Sequence, residues 1–148
     1  MFETLVDLDV HSTPTAAFDH IARGFFDHHG IWDPSVTSMV KTSDGPVGPG
    51  TTGREGRRFG PWSIASEFRV TEFEPSRRFA FRTTKGPMIE DVKWTIDDRP
   101  DGATVRMHLR LIPAALALRL LEPVMRPVLA RNARSNAARM KAALDALT

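Results

Sequence analysis

The chain has 148 residues, 41% hydrophobic and 26% charged, which is the profile of one globular domain rather than of a disordered chain. It has no cysteine, which excludes disulfides, thiolate metal sites, iron–sulfur clusters and cysteine nucleophiles, and fits a reducing cytoplasm. Its net charge is only +2, far from the basicity that nucleic-acid binding would want, and no nucleic-acid partner is expected. The charge is uneven, however. Residues 1–50 hold 2 basic and 7 acidic groups, whereas residues 114–148 hold 6 and 2, so the C-terminal part either meets an anionic partner or presents a solvated basic face.

The opening stretch, Phe2 to Val10, alternates Leu and Val with acids and reads as a half-buried strand, not as a signal peptide. Ser12-Thr13-Pro14 then gives a cap followed by a helix-compatible proline, and Ala17, Phe18, Ile21 and Phe25 recur at helical spacing. Gly24 divides this region into two short helices, the second ending near Gly30. A strand is predicted at Val36 to Lys41, followed by a Gly- and Pro-rich turn over Asp44 to Gly50.

From Thr51 to Pro113 apolar residues alternate in successive stripes. Ile64, Phe68 and Val70 form one; Phe79, Phe81 and Thr83 the next; then Met88, Val92, Trp94 and Ile96; and finally Val105, Met107, Leu109 and Leu111. Turn-like Glu74-Pro75-Ser76, Lys85-Gly86-Pro87 and Arg99-Pro100-Asp101-Gly102 separate them, so the region reads as an antiparallel meander with one wet face.

After Pro113 the period changes to 3.6. Leu116, Leu120, Val124, Val128, Met140, Leu144 and Leu147 predict one long C-terminal helix, with Pro123 and Pro127 kinking its first half. The longest apolar run, Leu111 to Leu118, is far short of the roughly 20 residues of a membrane span, and no stable membrane insertion is expected. The result is an α+β chain: a strand, two short helices, further strands to about seven in all, and a long helix to cover the sheet.

This order of elements resembles the helix-grip superfamily, which includes START lipid-transfer domains, birch-pollen-allergen-like proteins and polyketide cyclase/dehydrase-like proteins (SRPBCC). Three stretches carry the likeness to the last branch: Trp32-Asp33-Pro34-Ser35-Val36, Val47-Gly48-Pro49-Gly50-Thr51, and Val70 through Arg82. The resemblance covers nearly the whole chain and implies a single domain over 1–148, with a curved antiparallel sheet wrapped around the C-terminal helix and an apolar cavity between them. Phe68, Phe79, Phe81, Met88, Trp94, Met107 and Leu109 would line it from the sheet, and Leu120, Val124, Met125 and Val128 from the helix, with His28, His29, Trp32 and Asp33 bordering the entrance. Taken singly, each of these residues also suits an ordinary core. Gly53 stands where this branch commonly carries an aromatic, and would leave room for ligand or form a simple bulge.

Polar residues in that frame are few. Glu90 shares parity with Met88, Val92 and Trp94, where a carboxylate is costly to desolvate, and is the first candidate for a general acid or base. Glu55, in phase with Thr51 and Gly53, is the second. Of the adjacent His28 and His29, at most one can face inward, and no spacing fits a metal site. Gly48 to Gly53 matches GxGxxG literally, yet Arg-Glu-Gly-Arg-Arg follows instead of an apolar helix, so no dinucleotide or other cofactor is expected. The leading expectation is a binder of a small hydrophobic molecule, lipid-like or polyketide-like. The alternatives are a polyketide cyclase, aromatase or dehydratase using a pocket carboxylate, or an interaction or membrane-surface protein acting through its basic C-terminal helix. A homodimer stays open.

Overall fold

The computed structural model describes residues 1–147. Strand β1 (Phe2–Val10) leads into α1 (Pro14–Phe18), where the Thr13 hydroxyl accepts from the Ala16 N–H and Pro14 opens the first turn. A single π turn, Asp19–Arg23, joins α1 to α2 (Phe25–Trp32). Strands β2 (Val36–Lys41), β3 (Thr52–Phe59), β4 (Trp62–Glu74), β5 (Arg78–Lys85), β6 (Met88–Arg99) and β7 (Gly102–Pro113) follow, and α3 (Leu116–Asp145) closes the chain. The seven strands form one antiparallel sheet in the order β1-β7-β6-β5-β4-β3-β2. The parity expected from sequence holds: Phe79, Phe81, Val92, Trp94, Ile96 and Val105 are all buried on the inner face. On the outer face, pairs such as Arg106 with Asp7 and Arg82 with Asp91 bridge neighbouring strands.

Two elements cover the inner face, not one. Phe18, Ile21, Ala22 and Phe25 of the α1–α2 segment are essentially inaccessible, and the Phe25 ring lies 5.1–5.7 Å from those of Phe68, Phe79 and Phe81. Edge-on and tilted contacts of this kind add to the roughly 1.5–3 kcal/mol gained by burying each ring. Phe68 and Phe79 are therefore core residues under α2 and do not line the cavity, because Phe25 fills the space in front of them. Gly53 serves the same packing. A Cβ there would collide with Cζ of Phe68 and sit 2.7 Å from Cε1 of Phe26, whose rings stack on each other. The missing side chain makes room for protein rings, not for a ligand.

Helix α3 runs unbroken through Pro123 and Pro127 and packs on β1, α2 and β7. Each proline lacks the N–H that would bond the carbonyl four residues back, so Arg119 and Pro123 lose their helical partners. The buried face is Met125, Ala133, Ala137, Met140 and Leu144. Counting back from Met140 by 3.6 residues reaches Asn136, Ala133, Leu129, Met125, Glu122 and Leu118, whereas Leu116, Leu120, Val124 and Val128 run on the opposite side. Leu120, Val124 and Val128, expected to face the sheet, are 73%, 74% and 50% exposed, whereas Met125 is buried on that side as expected. The first half of α3 carries two apolar rows half a turn out of phase, and spacing alone joins the wrong one to Met140.

Candidate functional site

The cavity lies between the inner face of the sheet and α3, with a volume of about 140 Å³. Phe81, Met88, Trp94 and Met107 line it from the sheet, Trp32 from α2, and Met125 and Met140 from α3. Unbranched, polarisable Met side chains and flat rings make a wall that adapts to an apolar guest.

Trp32 is anchored from behind. Its indole N–H donates to Nε2 of His20 at 3.0 Å, and the His20 ring stacks on that of His28 at 4.1 Å. Nδ1 of His28 in turn bonds the carbonyl of His20, which lies in the π turn, at 2.9 Å. Burial first, and then the neighbouring His28, push the His20 imidazole down to about 4, so it stays neutral and keeps accepting from Trp32.

One end of the cavity is polar, and Arg57 is its centre. Residues 53, 55, 57 and 59 share the inward face of β3, which places Glu55 and Arg57 side by side. Nε of Arg57 donates to Oε1 of Glu55 at 2.7 Å and lies 3.4 Å from Oε1 of Glu90 on β6. Its Nη1 lies 2.9 Å from Oδ2 of Asp33. Asp33 is delivered by the end of α2: Pro34 disfavours helix at the residue before it, and the Asp33 carboxylate accepts from the Ser35 N–H at 3.2 Å. His29, one turn earlier on α2, places Nε2 3.8 Å from Oδ2 of Asp33.

Three carboxyl groups thus converge on one guanidinium, and they do not behave alike. Burial first, and then the charge of Glu90, push the Glu55 carboxyl up to about 8 even with Arg57 in contact. Burial also opposes the charge on Asp33, but His29 and Arg57 more than offset it and hold that carboxyl well below the usual range. Arg57 is penalised by burial, and the surrounding carboxylates hold it firmly protonated. The buried end therefore opposes charge on Glu55 while it favours an ionised Asp33 paired with Arg57.

Of the residues expected at the site, Trp32, Glu55, Phe81, Met88, Glu90, Trp94 and Met107 meet at this cavity. Gly53, Phe68, Phe79, Leu120 and Val124 do not, for the reasons given above. Glu90 faces inward as its parity required, but as an ion-pair partner of Arg57 rather than a lone carboxyl; the more deeply buried acid is Glu55. Arg57, Asp33 and His29 complete the polar end. Among the described residues no group of side chains is arranged to hold a metal ion, and no helix is long and apolar enough to cross a membrane.

The open seven-stranded sheet, the short helices after β1 and the long C-terminal helix define the helix-grip fold. The chain belongs to the family described as polyketide cyclase/dehydrase and lipid transport, which matches residues 1–145. No curated protein matches it. Among solved structures it is similar to TTHA0849 from Thermus thermophilus, at 15% identity over 99% of both chains with a TM-score of 0.77. It is similar to a START superfamily protein from Mycobacterium smegmatis, at 12% identity over 99% of this chain and 98% of that one, TM-score 0.72. The Zhui aromatase/cyclase from Streptomyces sp. R1128 aligns at 13% identity over 97% of this chain and 92% of that one, TM-score 0.69. At these identities the likeness establishes the fold.

Proposed function

We propose that the protein binds a small, mainly apolar ring compound in this cavity, with one hydrogen-bonding group of the ligand turned toward Arg57 and Glu55. The observation that carries the reading is the cavity itself, apolar along most of its wall and polar at one end. Its size narrows the ligand class. About 140 Å³ is close to the roughly 150 Å³ that holds one benzene ring, and well below the roughly 300 Å³ at which drug-sized pockets begin. A single ring fits this volume, whereas a lipid chain or an extended polyketide would require the cavity to widen. The polar end also selects. With three carboxyls on one guanidinium it favours a neutral hydroxyl or amide over a carboxylate ligand.

One observation favours a second reading, a cyclase or dehydratase. Glu55 is a carboxyl in the cavity wall that burial pushes up to about 8, the direction that proton transfer requires. Native mass spectrometry of the freshly purified protein tests the first reading: a one-ring adduct, displaced by added toluene, supports it. A folded protein that carries no adduct and takes up no toluene contradicts it. Glu55→Gln separates the two readings, since binding within a few-fold of wild type fits both, and only an enzyme loses about 10²-fold or more in turnover.

A further inference from the structure

The outer face of the first half of α3 belongs to neither the cavity nor the core. Leu116, Leu120, Leu121, Val124 and Val128 are 44–74% exposed there. A surface helix ordinarily turns charged residues to this side. The charged residues of this half turn back to the protein instead. Arg119 donates to the Pro113 carbonyl, Glu122 pairs with the N-terminal ammonium, and Arg126 reaches Glu122 and the Met1 carbonyl. Five large apolar side chains in a continuous row are an interaction surface, not scatter.

The charges beyond the row identify the occupant. Arg131 and Arg134 follow Val128 on the exposed side, and neither has an ion pair among the described residues. A second copy packed antiparallel would set these arginines against the positive N-terminal end of its α3. Packed parallel, they would meet their own copies. The acids of α3, Glu122 and Asp145, are already engaged. An anionic lipid surface satisfies both halves of the pattern, with the apolar row at the acyl boundary and the arginines at the phosphates. Trp62, 60% exposed at the β3–β4 turn, adds a side chain suited to that boundary. Its hairpin supplies Phe59 and Ile64 to the same cavity that Leu118 of α3 lines.

We infer that the outer face of Leu116 to Val128, flanked by Arg131 and Arg134, docks the protein in the plane of an anionic phospholipid surface. The contact is peripheral. It requires nothing of the cavity ligand, so it stands or falls apart from the function proposed above.

Cosedimentation with vesicles of phosphatidylcholine alone, and of phosphatidylcholine and phosphatidylglycerol in equal parts, tests it. The protein is expected to bind the mixed vesicles, to bind the neutral ones far more weakly, and to release as salt is raised. Trp32 and Trp94 are already buried, so a blue shift of tryptophan emission on binding reports Trp62. Arg131→Gln with Arg134→Gln should weaken binding about 25-fold, roughly fivefold per arginine. Leu120→Asp with Val124→Asp should abolish it. These side chains are solvent-facing, so circular dichroism and toluene binding in the cavity should stay unchanged. A folded wild type that sediments with neither vesicle overturns the inference, as does binding indifferent to Leu120→Asp and Val124→Asp. A concentration-dependent dimer that dissociates on those two substitutions would assign the face to a second copy instead.

Discussion

Replacing Glu55 by Gln keeps the shape of the side chain and an oxygen for the Arg57 Nε–H, and removes one titrating group. In the folded protein that group holds its proton up to about 8, against a value of 4.5 when unperturbed. A carboxyl with a raised folded-state pKa stabilises the fold fully only below its unfolded value, and that contribution is lost as pH rises through the folded one. The cost is about 1.4 kcal/mol per pH unit. His20 works in the opposite sense, because its lowered value makes stability fall as pH drops from 6.5 toward 4. Asp33, held low, matters only in stronger acid. Between pH 6.5 and 8 the slope therefore belongs to Glu55, and wild type should lose about 2 kcal/mol across that interval. Urea unfolding at several pH values measures it directly. Glu55→Gln should match wild type near pH 6.5, stay flat, and exceed it by about 2 kcal/mol at pH 8. Parallel pH profiles for the two proteins would refute the placement of the raised carboxyl at Glu55.

Gly53→Ala forces a Cβ against Phe68 and Phe26, and should cost about 1–3 kcal/mol in urea unfolding while leaving ligand affinity unchanged. Arg57→Leu leaves three carboxyls without their cation and should destabilise by about 3–5 kcal/mol at pH 8, and by visibly less at acid pH where a proton replaces the lost charge. Between Leu116 and Leu129 the only buried residue of α3 is Met125, and two prolines interrupt its bonding, so amides there should exchange faster than those from Ala133 to Leu144. Uniform protection along α3 would remove the basis for an opening movement.

Strand parity carried most of what was legible. Alternation through Phe79 and Phe81, through Met88, Glu90, Val92 and Trp94, and through Val105 to Leu111 follows a period of two with no ambiguity of phase, so inward residues were readable one by one. The helix was less so, because Leu116 to Leu129 is apolar on two sides and only tertiary packing chooses between them. Gly53 was ambiguous for a related reason: a missing side chain is as useful to a neighbouring ring as to a ligand. Arg57 is the site residue that the sequence does not mark. The parity that turns Glu55 inward turns Arg57 inward too, but an Arg57-Arg58 doublet at a strand end reads as solvated. Its burial depends on Asp33 and Glu90, which lie far away in sequence and meet it only in the fold. The cover supplied by Phe25 was likewise invisible, since a helix of eight residues does not announce how far it inserts.

The methionines offer the most direct test of the cavity as a binding site. Of the six in the chain, Met88, Met107, Met125 and Met140 line it, whereas Met1 and Met39 do not. With ¹³C-methyl methionine labelling, titration with a one-ring compound such as toluene should shift the four lining methyls saturably through the ring current and leave Met1 and Met39 in place. A folded protein whose four methyls stay unmoved, or in which Met1 and Met39 shift alone, would contradict the account.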